Sequence, residues 1–77
     1  MEGFTAYYLI KDLNIVGKEE DFVPYIYDKE KGWLVDNDNI LSDRIMGYDG
    51  DGIGSADMLT RVVEITEEEA SKLIANM

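Results

Sequence analysis

No cysteine and no histidine occurs anywhere in the chain, and proline occurs once. The missing thiols exclude disulfides, thiolate zinc sites and a cysteine nucleophile together. Without imidazole the commonest general base and the commonest transition-metal ligand are absent too. Ser42, Ser55 and Ser71 therefore have no histidine to activate them, and no nucleophile-elbow pattern surrounds them. Long apolar runs are also lacking, the longest being far short of the ~20 residues a membrane helix needs. Met1-Glu2-Gly3-Phe4 offers neither a basic nor an apolar leader region, so a soluble, cytoplasmic protein is expected. No enzyme activity and no cofactor are expected.

Basic charge is scarce. Seven lysines and arginines face 17 carboxylates, for a net charge of −10 over 77 residues. Such a field repels nucleic-acid backbones and anionic membranes, which leaves a basic protein surface as the natural partner. The imbalance is concentrated: residues 36–77 hold ten acids against Arg44, Arg61 and Lys72, hence −7 of the total. A hydrophobic fraction of 45% and an aromatic fraction of 10% nonetheless indicate one folded domain over residues 1–77.

The pattern predicts an α+β fold, a small antiparallel sheet of three to four strands packed by a C-terminal helix, with one further short helix. Phe4 to Ile10 alternates as a strand that is apolar on both faces. Lys11 to Asp21 reads as a connection. Phe22–Tyr27 and Trp33–Val35 flank Asp28-Lys29-Glu30-Lys31-Gly32 as a hairpin, and Pro24 suggests an edge strand. Asp36 to Asn39 supplies capping side chains for a helix over Ile40–Met46, with Gly47 past its end. Tyr48 to Asp57 reads as a loop and Met58 to Ile65 as a strand. Thr66 and Glu69 form a capping box, and Ala70, Leu73, Ile74 and Met77 form the apolar stripe of the last helix.

Gly47 to Asp57 alternates glycine with aspartate, and its Asp-Gly-Asp-Gly opening resembles an EF-hand or dockerin calcium loop. The register fails: with Asp49 first, Ile53 falls where the fifth ligand belongs and Thr60 where a glutamate should close the site. No metal site is expected, the weak alternative being Asp49, Asp51 and Asp57. A phosphate loop is excluded, because no lysine follows the glycines and two aspartates would repel phosphate.

The residues expected to contact a partner are Asp36, Asp38, Asp43, Asp49, Asp51, Asp57 and Tyr48. In size and charge the chain resembles the small acidic proteins of phages and mobile elements that disarm host nucleases. The resulting expectation is an acidic protein-binding module, an inhibitor that mimics nucleic acid and blocks a basic site on a DNA- or RNA-binding protein or nuclease. The alternative is a structural or oligomerising domain using an aromatic sheet edge, with a homodimer as its product. A weak calcium-binding domain is the third reading.

Overall fold

The computed structural model describes residues 3–48, 52 and 54–76. Over these described residues it is an α+β fold with five antiparallel strands and three helices. The strands are β1 (Thr5–Ile10), β2 (Ile15–Glu20), β3 (Val23–Asp28), β4 (Gly32–Val35) and β5 (Val62–Ile65), in the sheet order β4-β3-β2-β1-β5. The helices are α1 (Ile40–Met46), α2 (Ala56–Leu59) and α3 (Glu67–Ala75). No helix of the described residues is long and apolar enough to cross a membrane.

The sheet has one strand more than the three to four expected from sequence, and four features depart from that reading. First, the supposed connection after β1 is a four-residue turn followed by β2, with Ile10 paired to Ile15. Its Gly17 leaves the room that Leu41 fills: a Cβ there would stand 3.1 Å from a Leu41 methyl and from the Tyr25 carbonyl oxygen. Leu41 is fully buried and has no slack to retreat.

Second, β3 is interior, not an edge. Pro24 is tolerated because its carbonyl accepts the Asp36 amide at 2.9 Å, so its missing N–H also faces the β4 side, where β4 has already ended. Third, Met58 and Leu59 belong to α2 and not to a strand. The Ser55 hydroxyl accepts from the Met58 amide and the Thr60 hydroxyl donates to the Asp57 carbonyl, local bonds that favour a turn of helix over extension. Fourth, helices lie on both faces. Alternation puts Gly17 and Val16 on opposite sides of β2; Leu41 of α1 covers the first, while Leu73 of α3 and Val16 line one small cavity on the second.

The core is correspondingly thin: Ala6, Ile10, Val16, Leu41 and Ala70 are its buried apolar residues. On the α3 face, Tyr25 and Trp33 lie over Lys18, whose ammonium stands 5.5 and 4.6 Å from their ring centres and whose side chain is largely buried, while Tyr7 and Tyr27 pack against Trp33. The capping box at Thr66 and Glu69 forms as expected, and Gly47 ends α1 at φ +70°. Met77, the last position of the expected stripe, lies outside the described residues.

Candidate functional site

Strand register sorts the charges into two rims. Glu20 pairs with both Thr5 and Val23, Glu19 with Ala6 and Pro24, and Ile65 with Tyr7. Asp36 bonds across to Pro24. One rim of the sheet therefore collects Glu19, Glu20 and Asp21 from the β2–β3 hairpin, Asp36 and Asp38 after β4, and Glu64 and Glu67–Glu69 around the start of α3. The opposite rim holds Lys11, Asp12, the Asp28–Lys31 turn and Arg61. There Arg44 grips Asp12 through two bonds of 3.0 and 2.6 Å, and Arg61 bonds Asp57 at 2.6 Å. The Arg44 guanidinium holds the Asp12 carboxyl below the usual carboxylate range. On the acidic rim Lys18 reaches Glu20 at 3.6 Å, and Lys72 reaches Glu68 at 3.7 Å from within α3.

An apolar cluster stands at the same rim. Asp21 and Phe22 form the two-residue turn between β2 and β3, both left-handed, at φ 51° and 69°. That conformation suits asparagine or aspartate followed by glycine, and a bulky aromatic in it is strained. Phe22 nevertheless occupies it with 78% of its surface exposed, its ring stacked on Phe4 at 5.5 Å. Asp21 locks the turn by accepting the Phe4 amide at 3.0 Å and donating its own amide to the Phe4 carbonyl at 2.7 Å. Val23 beside them is also exposed. Phe22 thus combines a sterically costly backbone with an exposed apolar ring.

Next to the stack, β5 turns away into α3 and leaves the start of β1 uncovered. The recess there, a cavity of about 390 Å³, is lined by Glu20, Glu64 and Glu67 with Thr5, Tyr7 and Thr66. Among the described residues no three acids come close enough to hold a metal ion. Strand alternation sets Glu20 on the Tyr7 face of the sheet, and Glu64, paired with Tyr8, on the face opposite. Two tyrosines register the field. Burial pushes the Tyr7 phenol up, helped by Glu67 and Glu20, and burial likewise raises Tyr8 on the other face, helped by Glu19 and Glu64. Glu20→Gln and Glu67→Gln are each expected to lower the Tyr7 pKa in an alkaline NMR titration. Burial keeps it above its ordinary value, and a pKa unmoved by both changes would mean that the carboxylates do not converge there.

The residues singled out from sequence scatter. Asp36 is only 7% exposed, and its carboxylate accepts the amides of Ile40, Leu41 and Ser42 at 2.8, 2.8 and 3.2 Å. It is the cap of α1, a task its neighbour Asn39 leaves undone at the N-cap position. Asp38 is exposed on the rim. Asp43 and Tyr48 share a shallow hollow with Met46 on the outside of α1, and Asp57 is bound to Arg61. Asp49 and Asp51 lie outside the described residues, and with them two of the three groups of the weak calcium alternative.

No family model, curated protein or solved structure matches this chain.

The residues missed from sequence are Glu19, Glu20, Asp21, Phe4 and Phe22. The one available signal was Asp21-Phe22 between charged and β-forming segments, an aspartate-led two-residue turn with an aromatic where glycine would be expected.

Proposed function

We propose that the chain is a small acidic protein-binding module whose rim, with Phe4 and Phe22 at its centre, engages a basic protein surface. The observation that carries this reading is Phe22 itself, a strained, exposed aromatic stacked on Phe4 and directly preceded in the chain by Glu19, Glu20 and Asp21. An apolar anchor inside a polar rim is the usual anatomy of an interface that binds one partner tightly. The carboxylates steer a basic partner in, and the recess flanked by Glu20 and Glu67 beside Tyr7 accepts one of its arginines or lysines. The finer reading is an inhibitor: carboxylates set along the rim stand in for phosphates and occupy the site where a nucleic-acid-binding protein or nuclease holds DNA or RNA.

The test is capture on the immobilised chain from a cell lysate at rising salt, followed by purification of what is captured. The expected partner is basic, its association slows as salt rises, and duplex DNA or RNA displaces it from the chain. Affinity unaffected by ionic strength contradicts charge-led recognition, and a salt-sensitive partner that ignores nucleic acid contradicts the inhibitor reading alone.

A further inference from the structure

We propose that β4 pairs antiparallel with β4 of a second copy of this chain, continuing the sheet across a two-fold axis. The strand lies at one edge of the sheet, and its sequence, Gly32-Trp33-Leu34-Val35, contains no charge and no proline. Edge strands are ordinarily blunted by such residues. Leu34 and Val35 are 41% and 51% exposed, on opposite faces of the strand. Because the Asp36 amide donates to Pro24, alternation along the ladder turns the N–H groups of Trp33 and Val35 outward.

Charge selects the occupant. β4 begins at the turn carrying Lys29 and Lys31 and ends at Asp36-Asn37-Asp38. An antiparallel partner sets the start of one strand beside the end of the other, so Lys31 of each copy comes alongside Asp38 of its mate, twice by symmetry. Among the described residues neither Lys31 nor Asp38 has an ion-pair partner within its own chain. Asp38 lines the same groove as Leu34 and Val35, so it is placed to meet what covers them. The other edge, β5, fails the same test, since a two-fold pairing would bring Glu64 of one copy toward Glu64 of the other.

Sedimentation equilibrium over a dilution series tests the pairing. The chain is expected to dimerise reversibly. Val35→Pro, which removes an outward donor and adds no charge, is expected to leave a folded monomer. Lys31→Glu and Asp38→Lys are each expected to weaken the dimer by about ten-fold, because two contacts turn repulsive at once, and the double exchange is expected to restore it. Phe22→Gly, on the acidic rim, is expected to leave dimerisation unchanged, which separates this surface from the one proposed for a basic partner. A chain that stays monomeric at the highest concentration, or a dimer indifferent to both charge reversals, overturns the proposal.

Discussion

Asp36→Ala is expected to destabilise the fold by about 2–4 kcal/mol, far beyond the effect of removing the exposed Asp38. The carboxylate is buried and meets three amides at the start of α1, two of them through one oxygen. Truncation leaves those donors without acceptors beside Leu41, the fully buried residue that fills the space over Gly17. In a domain of this size each 1 kcal/mol moves the melting temperature by about 4–8 °C, so the loss is visible in a simple thermal scan. Asp36→Asn keeps one acceptor oxygen and should fall between. Asp38→Ala, two residues on and exposed, is expected to change stability by less than about 0.5 kcal/mol. Equal, small effects at both positions would contradict the capping role.

Phe22→Gly is expected to separate stability from binding. Holding a bulky residue in the left-handed region costs roughly 1–2 kcal/mol, which glycine avoids. The stack on Phe4 returns about 0.5–1.5 kcal/mol at most, and less where both rings are wet. The two nearly cancel, so the melting temperature should hold or rise slightly. Affinity for the basic partner should instead fall by more than about ten-fold, the loss of a central aromatic anchor. A large drop in stability would make Phe22 a structural residue and remove the strongest support for the rim.

The two outcomes bear on what could be read from sequence. The C-terminal helix was legible because its signals are local: Thr66, Glu69 and the Ala70 stripe act within a few residues of one another. So was the β3–β4 hairpin, where the Asp28 carboxylate accepts the Glu30 and Lys31 amides and Gly32 takes a positive φ. β2 was hidden because its central residues, Gly17 and Lys18, answer to distant partners. Gly17 makes room for Leu41, Lys18 buries its stem among aromatic rings, and Glu19 and Glu20 stand at the rim. Asp36 was expected both to help cap α1 and to contact a partner; its buried carboxylate does the capping, and only packing shows which of the four residues 36–39 takes that part. The rim itself joins Glu19–Asp21 to Glu64–Glu69 across some 45 positions through strand register alone, and register is a tertiary property.

The rim as a binding surface is tested most directly by chemical-shift mapping of the labelled chain against its purified basic partner. The expected changes centre on Phe4, Glu19 to Val23 and the Ile65–Glu67 turn, fading toward the Lys29–Lys31 turn at the far end of the sheet. Changes confined to β4, or to α1 and α2 around Asp43 and Asp57, would place recognition elsewhere and contradict the account.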